Sequence, residues 1–113
     1  MDKNTLQTME TIANVCHLMG ETNRLKILFL CLKAPQSVSM LVKELEISQP
    51  LVSHHLKLLK TAKLLFSERN GKQINYHIFD DHIRCILEDM YQHYSDKSHL
   101  TTKTQSNKKD ASK

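Results

Sequence analysis

Glycine and proline occur only twice each among the 113 residues. So few chain-breaking residues exclude a Gly/Pro-rich disordered protein and leave no Gly-rich loop to cradle a phosphate in a nucleotide-binding enzyme. Helices are expected to predominate. No stretch approaches the roughly 18 apolar residues of a membrane span, and the N-terminal MDKNTLQTME lacks the apolar core of a signal peptide. A cytoplasmic protein with no membrane partner is expected. The cysteines are few: Cys16, Cys31 and Cys85, widely spaced and without a C-x-x-C pair. Neither a disulfide framework nor a zinc knuckle fits that pattern, and all three are expected as buried, reduced thiols.

What is present is charge with a pattern. The formal net charge is only +4, but residues 48–72 carry Lys57, Lys60, Lys63, Arg69 and Lys72 against a single acid, Glu68. Residues 80–96 reverse this, with Asp80, Asp81, Glu88, Asp89 and Asp96 against Arg84. One segment is suited to an anion and the next to a cation.

The stretch SQPLVSHHLKLLKTAKLL, residues 48–65, has helical periodicity. Val52, Leu56 and Leu59 fall on one stripe, with Leu51, His55, Leu58 and Ala62 beside it. The opposite arc holds Gln49, Pro50, Ser53, His54, Lys57, Lys60 and Thr61, without an acid, which suits a polyanion. Ser48 is placed to cap the helix, and Pro50 falls in its first turn, where a missing N–H costs little.

Around this helix the chain reads in order. A first helix is expected from about Thr5 to Met19, ended by Gly20, and a second from about Thr22 until Pro35 stops it. The density of apolar residues from Leu25 to Leu32 makes the second helix central. Ser39 is expected to cap a short third helix, and Glu46-Ile47-Ser48 turns directly into the lysine-faced helix. Two helices joined so closely form a helix-turn-helix, whose second member inserts its N-terminal residues into the major groove. Such turns often place glycine where Glu46 stands, and a left-handed backbone there would strain Glu46 by about 1–2 kcal/mol. After Leu65 the period becomes two, with Ile74, Tyr76 and Ile78 on one side, and Asn70-Gly71 signals a hairpin. Its tip, with Arg69 and Lys72, would meet phosphates or the minor groove. A last helix begins near Asp80 or Asp81 and is expected to bury Ile83, Ile86, Leu87, Met90 and Tyr94. Residues 1–96 are expected as one domain, and the lysine-bearing residues 97–113 as a disordered tail.

Three stretches, MGETNRLKIL, ISQPLVSHHLKLLKTAKLL and SERNGKQINYHI, make residues 6–96 resemble the ArsR/SmtB family of small winged-helix repressors. The resemblance implies a mainly α fold with a small β-hairpin, a homodimer formed by the first and last helices, a repressor bound to a double-stranded operator, and an inducer that weakens that state. On the helix face and the wing, Gln49, Ser53 and His54 are expected at base edges, and Lys57, Arg69 and Lys72 at phosphates.

Some members of that family bind metal through a cysteine site on the third helix, which SMLVKELEI lacks. Others use D-x-H on the last helix, then, after ten residues, H-x-x followed by His or Glu. In DDHIRCILEDMYQHYSD the residues Asp80, His82 and His93 match, and Asp96, with a shorter reach, takes the final place. The helix geometry agrees with this assignment. Eleven residues return His82 and His93 to nearly one face but about 16 Å apart along the axis, so they cannot share an ion within one chain. Two such helices antiparallel across a two-fold axis would form two symmetric sites. Two imidazoles and two carboxylates suit tetrahedral Zn(II) or Co(II), whereas a further ligand such as His99 would favour octahedral Ni(II) or Co(II).

Two other mechanisms compete. Cys31 resembles one redox cysteine of sulfide-responsive members of the family, but the second would fall near Ser95, leaving Cys85 as the substitute partner in a thiol- or persulfide-responsive repressor. A zinc-dependent hydrolase is the remote alternative, since four protein ligands leave no open position for water. The protein is therefore not expected to be an enzyme.

Overall fold

A computed structural model describes residues 1–95. Asp96, His99 and the expected tail at 97–113 lie outside the described residues. The chain forms two compact units, residues 1–80 and a second that begins at Asp81.

The first unit opens with α1, Lys3–Met19, begun by the Asp2 carboxylate, whose Oδ1 accepts the Thr5 N–H at 2.7 Å. This cap starts the helix two residues before Thr5. No residue of α1 is buried, and Leu6, Met9 and Ile12 lie exposed along it. Helix α2, Thr22–Lys33, is capped by Glu21 and buries Ile27, Leu28 and Cys31; it ends, as expected, just before Pro35.

A two-residue strand β1, Gln36–Ser37, follows. It is too short to have a periodicity, so no local pattern marks it. Gln36 is buried with its amide satisfied, since Nε2 donates to the carbonyls of Leu30 at 3.2 Å and Ala34 at 3.0 Å. Ser37, not Ser39, caps α3, Val38–Leu45. Ser37 has the extended backbone that a cap requires and accepts the Met40 N–H at 3.3 Å, whereas Ser39 is already helical.

Glu46 takes the left-handed conformation, φ 57 and ψ 41, so the corner forms without glycine. Helix α4, Gln49–Thr61, follows it. It stops short of Leu65 because Lys63 also turns left-handed, φ 61. The Lys63 N–H then reaches the Lys60 carbonyl and the Leu64 N–H that of Leu59, each at 3.0 Å, closing the helix with a Schellman motif. Leu64 and Leu65 thereby leave the helix and enter the core.

Strands β2, Leu65–Asn70, and β3, Gln73–Ile78, form the antiparallel wing, in register from Leu65–Ile78 to Asn70–Gln73. Gly71 supplies the positive φ of 69 for the tight turn. β1 pairs with the other edge of β3, making a three-stranded sheet in the order β1-β3-β2. Leu41, Val52, Leu56, Leu59 and Ile78 join the α2 residues in the core, each buried side chain contributing about 1.5–3 kcal/mol.

The second unit begins with α5, Asp81–Ser95. Leu87 is buried and Ile83 half-buried, but Ile86, Met90 and Tyr94 are exposed, contrary to expectation. The apolar stripe of α5 is wider than a single chain covers. The cysteines also divide. Cys31 is buried as expected, while Cys16 and Cys85 are exposed: Cys16 shares the uncovered apolar stripe of α1, and Cys85 lies on the side of α5 opposite the buried Leu87. Among the described residues, no helix is long and apolar enough to cross a membrane.

Candidate nucleic-acid interface and metal ligands

The buried face of α4 consists of Val52, His55, Leu56 and Leu59, so its other side is turned outward by packing. Gln49, Ser53, His54, Lys57, Lys60 and Thr61 are all exposed. Ser48 caps the helix as expected, accepting the Leu51 N–H at 3.3 Å, with Pro50 in the first turn. The exposed face therefore combines acid-free side chains with the positive end of a helix dipole.

The wing supplies the second part of the interface. Arg69, Asn70 and Lys72 are exposed at its tip, and Arg69 Nη1 lies 3.5 Å from the Gly71 carbonyl. Lower on the wing, Phe66 and His77 stack as an in-register pair with centroids 4.7 Å apart, and His77 Nε2 stands 3.1 Å from Glu68 Oε1. These contacts stiffen the hairpin whose tip presents the cations.

Helix-turn-helix and wing enclose one open groove of about 470 Å³, whose lining includes Ser39, Lys43, Gln49, Lys72 and Gln73. Gln49 and Lys72, assigned separately from sequence, thus face the same space. Lys43 and Gln73 were not singled out from sequence. An exposed lysine on the first helix of a helix-turn-helix was the available signal for Lys43, whereas Gln73 had none. On the other side of α4, His54 and Lys57 line a groove with Asn14, Leu18 and Lys63. Of the six residues assigned to DNA, Gln49, His54, Lys57 and Lys72 border these grooves, Arg69 stands on the wing, and Ser53 is exposed on α4 without lining either groove.

Asp80, His82 and His93 are all exposed. His82 and His93 belong to the uninterrupted α5, which sets them about 16 Å apart on nearly one face. The His93 ring meets Tyr94 edge-on, centroids 4.7 Å apart. Among the described residues, one chain brings together no group of three or more His, Cys, Asp or Glu side chains able to hold a metal ion. The donor chemistry of Asp80, His82 and His93 fits a borderline divalent ion, provided a second protomer completes the set. Cys31 is ill suited to redox signalling, because burial pushes its thiol up to about 12 and suppresses the thiolate.

With this geometry in place, the similarity to known proteins is specific. Residues 21–65 match the family model for bacterial regulatory proteins of the arsR family. The chain belongs to the ArsR/SmtB family of winged-helix transcriptional regulators. It is 37% identical over 87 residues to the HTH-type transcriptional repressor SmtB of Mycobacterium tuberculosis, an alignment covering 77% of this chain and 64% of that repressor's length. It is 29% identical over 83 residues to a homolog of the cadmium resistance transcriptional regulatory protein CadC from Staphylococcus aureus, covering 73% of this chain and 69% of the homolog. The solution structure of a homodimeric winged helix-turn-helix DNA-binding domain from Mycobacterium bovis superposes with a TM-score of 0.79 at 18% identity, covering 94% of this chain and 97% of that one. This last likeness concerns the ArsR/SmtB fold alone. The ArsR/SmtB family and these relatives are transcriptional regulators rather than enzymes.

Proposed function

We propose that this chain is a homodimeric repressor that binds a double-stranded operator and releases it when Zn(II), or a similar divalent ion such as Co(II) or Ni(II), is held by Asp80, His82, His93 and Asp96. The observation that carries the DNA reading is the groove shared by Gln49 of α4 and Lys72 of the wing, beside a helix face without an acid. In this reading Lys57, Arg69 and Lys72 neutralise phosphates, and Gln49, Ser53 and His54 contact base edges.

Dimerisation is supported by the exposed apolar residues of the terminal helices, Leu6, Met9 and Ile12 on α1 and Ile86, Met90 and Tyr94 on α5. Isolated in water, such stripes are a liability that a second copy removes. The M. bovis domain is a homodimer.

Metal responsiveness is supported by the spacing of His82 and His93, too far apart for one chain to use both on one ion, and by the cadmium resistance named in the CadC homolog. A bound ion would supply a cross-link between the helices of two protomers. Protomers so joined present their two α4 helices in one fixed orientation, which must match successive major grooves for DNA to bind. Release follows if that orientation is the wrong one, and linkage then requires DNA to weaken metal binding by the same factor.

The test is a titration of reduced, metal-free protein with Zn(II) against a chromophoric chelator, followed by DNA binding with and without Zn(II). One tight ion per protomer that lowers DNA affinity is the expected result. Tight DNA binding unaffected by Zn(II) would leave the repressor and remove the metal.

A further inference from the structure

His55 is the one histidine on the hidden side of the recognition helix, and it is only 5% exposed. It does not face other side chains of the apolar core alone. Its Nδ1 lies 3.3 Å from Nη1 of Arg24, and its Nε2 lies 3.9 Å from Oε1 of Glu21. Arg24 is itself anchored, its Nε donating to the Leu18 carbonyl at 2.7 Å. Glu21 is anchored too, because the same Oε1 accepts the Arg24 backbone N–H at 2.9 Å. The corner between α1 and α2 is thus fixed by Arg24 and Glu21, and α4 is tied to it through one imidazole.

The chemistry of that contact selects a protonation state. A guanidinium N–H can only donate, so Nδ1 must be the acceptor and the ring proton belongs on Nε2, turned toward the Glu21 carboxylate. Nε2 makes no hydrogen bond among the described residues. Protonating Nδ1 would remove the acceptor and set two cations face to face at 3.3 Å in a buried place. The charged groups acting on the ring are Glu21, which favours the imidazolium, and Arg24 and His54, which oppose it. Helices α1 and α3 and strand β2 add no charged group to that set.

We propose that Glu21, Arg24 and His55 form a positioning site that seats the recognition helix only while His55 is neutral, so that acid loosens α4 and lowers operator affinity through residues that do not touch DNA. The affinity arm rests on the DNA-binding reading above; the seating of α4 does not. Burial, the dominant influence on the ring, works in the same direction by holding its protonation below the usual imidazole range.

The test uses the full, metal-free chain. Ring nitrogen shifts of His55 report its tautomer and titration, and hydrogen exchange reports the protection of α4 amides, both without DNA. The expected result is the Nε2–H tautomer near neutrality and a loss of α4 protection with the same midpoint as His55 protonation. Affinity for a duplex selected by the protein from a random-sequence pool is then measured from about pH 7.5 to about pH 5. Wild-type affinity should fall by about tenfold more than that of His55→Gln, whose side-chain oxygen still accepts from Arg24 but does not titrate. Arg24→Met should lose α4 protection already at neutral pH. Parallel pH profiles for wild type and His55→Gln, or α4 protection that ignores His55 protonation, would overturn the proposal. If no duplex is selected, the DNA reading fails while the exchange measurement still decides the seating of α4.

Discussion

Gln49, at the first turn of the recognition helix, and Lys72, at the tip of the wing, line one groove although a whole helix and a strand separate them in sequence. On the proposed DNA reading, a duplex that follows this groove would meet the Gln49 amide and the Lys72 ammonium together. Lys57→Ala and Lys72→Ala should each weaken DNA binding across sequences. Each should also reduce the slope of log affinity against log salt by about 1. Fluorescence anisotropy over a salt series checks this; an unchanged slope for either variant removes that lysine from the phosphate contacts.

His93→Ala removes one imidazole from the proposed metal set and leaves α4 and the wing untouched. Zn(II) should no longer release DNA from this variant, while its metal-free affinity stays near that of the parent. Electrophoretic mobility shift with and without Zn(II) is sufficient. Persistent release by Zn(II) would refute the assignment of His93.

The corner before α4 contains two opposed local effects. Glu46 is held left-handed, so Glu46→Gly should raise unfolding stability by about 1 kcal/mol. Ser48 caps the helix, so Ser48→Ala should lower it by about 1 kcal/mol. Urea unfolding of the two variants gives both signs, and opposite shifts are required.

Among the thiols, Cys31 should resist alkylation at neutral pH in the folded protein and react only after unfolding, since burial has pushed its pKa up to about 12. Mass spectrometry of native and denatured samples distinguishes the sites. Rapid native labelling of Cys31 would restore it as a candidate sensor.

Acid should act in two steps at the α1–α2 corner. His55 protonates less readily folded than unfolded, so stability begins to fall as the pH drops below about 6.5. Glu21 has its pKa lowered, first by the Arg24 backbone N–H. Its contribution is present above the ordinary carboxylate range and is lost as the pH falls through its folded value. Melting temperatures of wild type, His55→Gln and Glu21→Gln across pH should separate the steps, the first absent in one variant and the second in the other.

The helix-turn-helix and the wing were legible because their signals are local. The apolar stripe of α4, the Ser48 cap, the strain at Glu46 and the Asn70-Gly71 turn each involve residues within a few positions of one another. The family signature and the eleven-residue spacing of His82 and His93 are equally properties of the chain. Other features depend on residues distant in sequence. Lys63 ends α4 because Leu64 and Leu65 are more stable in the core and the sheet than in another helical turn. β1 exists only because β3 offers Asn75 and Tyr76 as partners. His55 meets Arg24 only once α4 has packed on α2. Sequence by itself determined the helices, the hairpin wing and the chemistry they carry, since periodicity, caps and turns act over a few residues. Tertiary structure decided which of those groups share a groove, which thiol is buried and which histidine is tied to an arginine, because packing brings together residues that local rules treat as independent.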